Sequence, residues 1–169
     1  MIVAFATDHG GWPLREAVLG VLQDLGCRAL DFGTDRPEPC DYPPLARQVA
    51  EAIVAGRAER GILLCGSGVG MCVAANKVPG IRACVCHDSY SAHQGVEHDA
   101  MNVLCLGGRV IAAGLARELV RVFVQARFDG RPHHARRLEQ LARLEKDVLA
   151  GTIGKTSSLG RLQTRGSQP

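Results

Sequence analysis

Several features are missing from this 169-residue sequence, and each absence excludes a class of protein. No apolar run approaches the roughly 20 residues that a membrane-spanning helix requires. The first eight residues, Met1 to Asp8, carry no basic flank and reach an acidic side chain too early for a signal peptide. We therefore expect a soluble, cytoplasmic protein with no membrane partner.

The chain outside its C-terminal stretch also has no excess of basic residues. The chain has 20 basic and 17 acidic residues, but Lys155, Arg161 and Arg165 lie in a C-terminal stretch that holds no acid. Removing these three leaves 17 basic against 17 acidic residues, so the body is neutral. A nucleic-acid-binding protein carries its excess charge as a patch on the folded body. We therefore expect no nucleic-acid partner.

Disulfide and zinc-binding patterns are missing as well. The seven cysteines are an odd number, no Cys-x-x-Cys pair occurs, and no Cys and His pairs have zinc-finger spacing. Most lie in apolar stretches, where a free thiol behaves as a small hydrophobic side chain. The sequence therefore predicts a reducing compartment and no metal site.

What is present is an alternation of short apolar segments with helical patterns. We expect strands at residues 2–7, 28–32, 61–65, 81–86 and 102–106, and helices at 12–25, 42–55, 71–77, 111–123 and 138–148. This alternation predicts an α/β fold: a single doubly wound, Rossmann-like αβα sandwich with a five-stranded parallel sheet and a C-terminal helix. Residues 1–150 would form this domain, and residues 151–169 a flexible, polar and basic tail.

The strongest local signal is the loop Cys65-Gly66-Ser67-Gly68-Val69-Gly70, which follows a predicted strand. Such a turn directs backbone N–H groups at one point, where a phosphate or a developing oxyanion could bind. Met71 stands where a Walker loop has lysine, a dinucleotide fingerprint its third glycine and a Cys-x5-Arg phosphatase loop its arginine. Cys65 likewise excludes the glycine of a hydrolase elbow. After these motifs are excluded, the loop still places the Cys65 thiol beside a turn whose backbone N–H groups point to one place.

Two histidines accompany this thiol near other predicted strand ends, namely His9 after the first strand and His98 before the fifth. Each of the three residues has a simpler explanation: an inert buried thiol, a histidine packed at a helix start, and a solvated histidine. Together, and with Asp8 beside His9, they favour a pocket for proton transfer.

In combination these residues resemble one family, ribose-5-phosphate isomerase type B with its galactose-6-phosphate isomerase relatives. The similarity runs from the first residue to about Glu145. Its pieces are Asp8-His9-Gly10-Gly11, Asp41-Tyr42-Pro43, the Cys65–Gly70 loop, Ala74-Ala75-Asn76-Lys77, Gly80-Ile81-Arg82-Ala83, His98, Asn102-Val103-Leu104 and Gly107-Gly108-Arg109.

The resemblance implies an aldose–ketose isomerase that interconverts ribose 5-phosphate and ribulose 5-phosphate through a cis-enediolate, without metal or cofactor. By this analogy Cys65 is the base, His98 opens the furanose ring, and Ser67 with the loop amides holds the oxyanion. The implied substrate-binding residues are Asp8, His9, Tyr42, Gly66, Gly68, Gly70, Asp99, Arg109, His133, His134 and Arg137. The family's site lies between subunits, which implies a homodimer or a dimer of dimers, with His98, Asp99 and the arginines reaching across.

Two positions depart from the family pattern. Asp99 stands where asparagine is common, and His133 replaces the first arginine of a Gly-Gly-Arg-His-x-x-Arg phosphate clamp when His134 and Arg137 are matched to it. A carboxylate at 99 would repel an anionic substrate unless it is paired. Two alternatives therefore stay open: an isomerase of a tetrose or hexose phosphate, and a non-catalytic phosphosugar-binding module.

Overall fold

The computed structural model describes residues 1–153 of the chain. In chain order its elements are β1 (Ile2–Thr7), a 3₁₀ turn (Trp12–Leu14), α1 (Arg15–Asp24), β2 (Arg28–Asp31), α2 (Tyr42–Val54), β3 (Arg60–Cys65), α3 (Val69–Ala75), β4 (Ala83–Val85), α4 (Ser89–Asp99), β5 (Val103–Gly107), α5 (Ala113–Gln125) and α6 (Pro132–Leu149). Helix α6 ends at Leu149, one residue before the predicted domain boundary at residue 150. That boundary stays a prediction, since most of the predicted tail lies outside the described residues.

The five strands form one parallel sheet in the order β2-β1-β3-β5-β4, which confirms the predicted fold class. The three central strands are almost entirely buried, whereas the edge strands β2 and β4 are partly exposed. Central strands covered on both faces show the continuous apolar character of their sequence segments. Within the described residues, no helix has the length and apolarity needed to span a bilayer.

Side chains alternate between the two faces of the sheet and form two cores. Phe5, Ile62 and Leu104 pack beneath α1, α4 and α5. Their chain neighbours Ala4, Leu63 and Val103 pack beneath α2 and α3. The helices therefore cover both faces, as a doubly wound sandwich requires.

Helix α4 was missed in the sequence because its segment has no apolar stripe; only Ala92 and Val96 are buried. It begins at a capped turn, where the Asp88 carboxylate accepts a hydrogen bond from the Ser91 N–H at 2.7 Å. It ends at Ala100, which has a left-handed φ of 49°. The predicted strand at 81–86 is correspondingly shorter, Ala83–Val85.

The topology fixes two separate places for chemistry. Strand order reverses between β1 and β3, so a crevice opens beyond their carboxyl ends, at Asp8 and Cys65. Helices α4 and α5 each run back from the carboxyl edge of the sheet to its amino edge. The last turn of α4, which holds His98, and the segment after α5, which holds Asp129, therefore lie at the amino edge.

Candidate active site

The turn after β1 is organised by the buried Asp8 carboxylate. Its Oδ1 atom accepts hydrogen bonds from the N–H groups of Gly10 at 2.7 Å and Gly11 at 3.0 Å. The Asp8 N–H in turn donates to the Leu64 carbonyl oxygen of β3 at 3.1 Å. Asp8 is thus locked against the end of the neighbouring strand, with its second carboxylate oxygen not used by these two bonds.

The loop after β3 turns around the Cys65 thiol. The Gly68 N–H donates to the Cys65 Sγ at 3.1 Å, a contact that stabilises negative charge on sulfur. Gly68 adopts a left-handed φ of 81°, which glycine alone adopts without strain. One residue earlier, the exposed Ser67 Oγ accepts from the Val69 N–H at 3.3 Å. The thiol is therefore held at the floor of the loop, with 5 % of its surface exposed.

Three glycine turns meet backbone to backbone at this edge. A Cβ on Gly10 would lie 2.7 Å from the Gly66 nitrogen, and one on Gly108 would collide with the Gly10 carbonyl oxygen. The Gly108 N–H donates to the Cys65 carbonyl oxygen at 2.8 Å, which ties the loops after β3 and β5 together. The floor of the crevice is thus built from main chain that no larger residue would permit.

Side chains close the crevice into a cleft of about 370 Å³. Its lining residues are Asp8, Tyr42, Cys65, Gly66, Ser67, Gly70, Arg109 and Val110. The Tyr42 ring lies directly on Gly70, where an added Cβ would be 2.9 Å from the ring Cζ. A volume of this size suits a small molecule, and the guanidinium, carboxylate and hydroxyl groups suit a polar anionic one.

His9 lies beside this cleft without lining it. Its Nδ1 atom accepts a hydrogen bond from the Cys40 N–H at 3.3 Å, which joins the turn after β1 to the segment that precedes α2. Arg109, another of the substrate-binding residues that the resemblance implies, does line the cleft. The structure thus brings seven of the predicted site residues together in this cleft: Asp8, Tyr42, Cys65, Gly66, Ser67, Gly70 and Arg109.

The other predicted residues are elsewhere in the same chain. His98, Asp99, His133, His134 and Arg137 do not line the Cys65 cleft, because they lie in the last turn of α4 and the first turns of α6, at the amino edge of the sheet. Within a single chain Cys65 and His98 therefore do not share one pocket, and the arrangement that the resemblance implies, with His98 reaching across a subunit interface, stays a prediction. The sequence pattern could not reveal this, because it showed neither α4 nor the direction in which it runs.

At the amino edge, four side chains form a hydrogen-bonded group that we call the histidine cluster: Gln94, His98, Asp129 and His134. The His98 and His134 rings stack with centroids 4.1 Å apart. Gln94 Nε2 lies 2.8 Å from His98 Nδ1, and His134 Nδ1 lies 2.9 Å from Asp129 Oδ1. Gln94 and Asp129 were not predicted; the i, i+4 spacing of Gln94 and His98 could have revealed the first, had α4 been recognised.

Charge in the histidine cluster is partly compensated. Despite a desolvation penalty that raises it, the pKa of Asp129 lies below its ordinary value, because the Arg131 N–H and His134 donate to the carboxylate. Desolvation, followed by the nearby His134 and Arg137, lowers the pKa of His133. His133 is thus held toward its neutral form, which makes it a weaker partner for phosphate than an arginine would be.

The cluster is also the one group of side chains in residues 1–153 with the composition of a metal site. One ligand atom from each of His98, Asp129 and His134 lies within 4.8 Å of the others. Asp129, however, is already engaged by His134 and by Arg131, whose Nε is 3.3 Å from the carboxylate. We therefore interpret the group as a hydrogen-bonded cluster in which the Asp129 carboxylate is bound by protein groups.

Comparison with known proteins places this architecture among sugar isomerases. A profile of the family described as Ribose/Galactose Isomerase matches residues 3–141. Ribose-5-phosphate isomerase B of Escherichia coli is 40% identical over 144 residues, covering 85% of this chain and 96% of that protein. D-erythrulose-4-phosphate isomerase of Pectobacterium atrosepticum is 41% identical over 129 residues, covering 76% and 85%.

Solved structures agree with these relatives. Ribose-5-phosphate isomerase B of Clostridium thermocellum superposes with a TM-score of 0.84 at 42% identity, covering 88% of this chain and 99% of that one. The Mycoplasma genitalium enzyme, solved with bound ribulose-5-phosphate, gives 0.81 at 34% identity, covering 86% and 97%.

The fold and the thiol-bearing cleft define an α/β enzyme architecture, and the comparisons assign it to aldose–ketose isomerases. The chain belongs to the ribose/galactose isomerase family. The predicted family and enzyme class are therefore confirmed.

Proposed function

We propose that the chain interconverts ribose 5-phosphate and ribulose 5-phosphate through a cis-enediolate, with Cys65 as the base. The carrying observation is the position of the Cys65 thiol, in a cleft beyond β3 and 3.1 Å from the Gly68 N–H. The proposal is supported by the E. coli relative and by the Mycoplasma neighbour's bound ribulose-5-phosphate.

The reaction needs one group that removes a proton from carbon and returns it to the neighbouring carbon. Of the side chains lining the cleft, Cys65 is suited to this because the Gly68 N–H stabilises its thiolate, whereas Asp8 is already engaged by two amides. Cys65 would take the proton from C2 of the aldose and deliver it to C1 of the enediolate. A general base of this kind contributes about 10²- to 10⁴-fold in rate.

The remaining groups of the cleft would hold the substrate around that proton. Ser67 and the loop amides of Gly66 and Gly70 would donate to the developing oxyanion. Asp8 and Tyr42 would bind sugar hydroxyls. Arg109 and His9 would hold the phosphate as a handle that positions the reacting carbons.

Ring opening requires a second acid–base group, and we propose that a second copy of this chain supplies it. The cleft of one chain lacks His98, while His98 sits in a partly exposed cluster beside His133, His134 and Arg137. A homodimer, alone or within a dimer of dimers, would bring this cluster to the partner's cleft. Exposed apolar side chains on α6, among them Leu144 and Leu149, suit such an interface.

A second substrate has a specific observation in its favour. The Pectobacterium relative, named for a four-carbon sugar phosphate, is as similar to this chain as the E. coli enzyme is. Asp99 and His133, the two departures from the family pattern, both fall in the part of the site proposed to come from the partner. A tetrose phosphate is therefore the alternative substrate.

Solvent exchange tests the role of Cys65. In deuterated water the wild-type enzyme should place deuterium at C2 of ribose 5-phosphate, and Cys65→Ala should lose this exchange by about 10²- to 10⁴-fold. Cys27→Ala is the matched control, since Cys27 is a free, half-buried thiol remote from the cleft. Full exchange by Cys65→Ala, measured by proton NMR, would exclude the thiol as base.

A panel of tetrose, pentose and hexose phosphates tests the substrate separately. We expect the highest kcat/KM for ribose 5-phosphate. Turnover of a tetrose phosphate with none of ribose 5-phosphate would replace the proposed substrate while keeping the mechanism. No exchange with any sugar, together with undiminished binding by Cys65→Ala, would indicate a binding module.

A further inference from the structure

The two ring nitrogens of His98 have different surroundings. Gln94 precedes His98 by four residues on α4, so the two side chains lie on one face of the helix. The Gln94 Nε2 atom lies 2.8 Å from His98 Nδ1, which is an ordinary hydrogen-bond distance. At the other edge of the ring, a carboxylate oxygen of Glu97 lies 3.7 Å from His98 Nε2. One nitrogen of His98 therefore faces a donor, and the other faces an acceptor.

Both neighbours favour the same tautomer of the neutral imidazole. An amide nitrogen only donates hydrogen bonds, so the bond from Gln94 requires a His98 Nδ1 that carries no proton. The Glu97 carboxylate is too far from Nε2 for a hydrogen bond, but its negative charge favours a proton on the nitrogen nearest to it. The single proton of the neutral His98 ring is therefore placed on Nε2.

The cluster also fixes the orientation of the His98 ring. One face of the ring stacks on His134, with centroids 4.1 Å apart and planes inclined at 25°. His134 is itself buried and bonds through Nδ1 to the Asp129 carboxylate at 2.9 Å. Because one face and the Nδ1 edge are occupied within the cluster, Nε2 is the nitrogen of His98 that is left for a substrate. The His98 side chain keeps 31% of its surface exposed, so the cluster does not close it off.

We propose that Gln94 is a positioning residue, which holds His98 in the tautomer protonated at Nε2 and so makes His98 a proton donor for the opening of a furanose ring. This role of Gln94 depends on the proposed function, in which His98 opens the ring of ribose 5-phosphate at the cleft of a second chain.

The ring-opening step balances on the one nitrogen. His98 Nε2 gives its proton to the ring oxygen O4, and the C1–O4 bond breaks. The proton of the C1 hydroxyl group passes to the lone pair that this leaves on Nε2, and the electrons of that O–H bond form the C1=O double bond. His98 ends as the neutral ring that it was, with Nδ1 bonded to Gln94 throughout. The open aldose is then the substrate for proton removal from C2 by Cys65.

Nitrogen NMR of the full-length protein with ¹⁵N-labelled histidine tests the tautomer without any substrate. At about pH 8, above the ordinary imidazole pKa of about 6.5, we expect the shift of an unprotonated nitrogen for His98 Nδ1 and of a protonated one for Nε2. The spectrum of His98→Ala identifies these signals. Gln94→Glu replaces the donor by an acceptor, so Nδ1 should then show the shift of a protonated nitrogen. A wild-type His98 protonated at Nδ1 would overturn the proposal.

Gln48→Glu is the matched control for this exchange of amide for carboxylate. Gln48 is an exposed glutamine of α2, a helix that packs on the opposite face of the sheet from α4. The variant adds the same charge without touching the cluster, and the His98 shifts should stay as in the wild type. A change of equal size in both variants would show that net charge, and not the Gln94 hydrogen bond, selects the tautomer.

A comparison of the two reaction directions tests the role in ring opening. Ribose 5-phosphate closes to a furanose, whereas ribulose 5-phosphate carries its phosphate on the oxygen that a five-membered ring would need, and stays open. Gln94→Met keeps the length of the side chain without its donor. It should lower kcat for ribose 5-phosphate by about tenfold, less than the loss of about 10²- to 10⁴-fold expected when a general acid is removed. Exchange of the C1 hydrogen of ribulose 5-phosphate in deuterated water needs no ring opening and should be unchanged.

The outcomes separate this role of Gln94 from the proposed function. Slower turnover of ribose 5-phosphate with normal C1 exchange supports a role in ring opening. Equal losses in both measurements, or no loss in either, would overturn that role. A wild-type protein that exchanges no C1 hydrogen would overturn the proposed isomerisation, and the ring-opening role with it, whereas the nitrogen shifts would still decide the tautomer.

Discussion

The carboxyl-edge cleft and the histidine cluster are held together by different kinds of contact. In the cleft, main-chain amides fix the functional side chains: Gly10 and Gly11 hold Asp8, and Gly68 holds Cys65. In the cluster, side chains hold side chains: Gln94 bonds to His98, and Asp129 to His134. The first region is pre-formed by backbone turns, whereas the second depends on the charge and rotamers of its members.

Their separation has a direct consequence for catalysis. Parallel strands place every turn that follows a strand at one edge and every turn that follows a helix at the other. Cys65 ends a strand at the first edge, and His98 lies in the last turn of a helix that ends at the second, so one chain cannot bring both to one substrate. If both act in the reaction, the complete site requires two chains.

The largest effect is expected when the two regions are disrupted in different chains. Cys65→Ala and His98→Ala should each lose about 10²- to 10⁴-fold in kcat. A purified heterodimer with one chain of each kind keeps one intact site of two and should recover about half of the wild-type activity. Differently tagged, co-expressed chains give this heterodimer for steady-state assay.

A second heterodimer reverses the expectation. Wild type paired with the Cys65→Ala/His98→Ala double variant has no complete cross-chain site and should be nearly inactive. Half of the wild-type activity in that pair, with none in the first, would place both residues of each site in one chain.

The same contrast between the cleft and the histidine cluster explains which parts of the fold and of the site the sequence predicts. The cleft was predictable because a turn built from glycines leaves a compact motif, and Cys65 to Gly70 forms one short segment from the end of β3 to the start of α3. The central strands were predictable because burial on both faces demands continuous apolar segments. The fold class and the residues at one edge of the sheet therefore follow from local patterns.

The histidine cluster was only partly predictable, for physical reasons. His98 and His134 drew attention as residue types, but their contact depends on α4, whose single helical turn of buried residues is too weak a pattern to detect. Asp129 lies five residues before His134, across a turn and a helix start, and no periodicity links them.

The next largest effect concerns the backbone contact that builds the cleft. Gly108→Ala should lower the free energy of unfolding by about 1–3 kcal/mol, because its Cβ collides with the Gly10 carbonyl oxygen and the main chain must move. Gly114→Ala is the matched control: it lies in α5 with nothing within 4 Å of the added Cβ, and should be neutral or stabilising by up to about 1 kcal/mol. Urea denaturation measures both. Equal stabilities would show that the glycine turns can relax.

The smallest effect is expected for the pH dependence of the stability that the histidine cluster contributes. It distinguishes the cluster from the cleft most directly. Hydrogen bonds from the Arg131 N–H and His134 outweigh desolvation and lower the pKa of Asp129 below its unfolded value of about 3.9. A carboxyl group whose pKa is lowered by folding stabilises the protein above that unfolded value, and the stabilisation is lost as pH falls through the folded pKa. Asp129→Asn should therefore lower Tm at neutral pH, and the difference from wild type should close below about pH 4.

Asp24→Asn provides the control for that titration, because Asp24 forms only an exposed ion pair with Arg117 at 3.9 Å. Such pairs contribute little to stability, so its Tm should follow that of the wild type across the range. A difference for Asp129→Asn that stays constant down to pH 3 would mean that the carboxylate acts through packing and not through charge. The histidine cluster would then be stabilised by packing, and protonation would no longer distinguish it from the cleft.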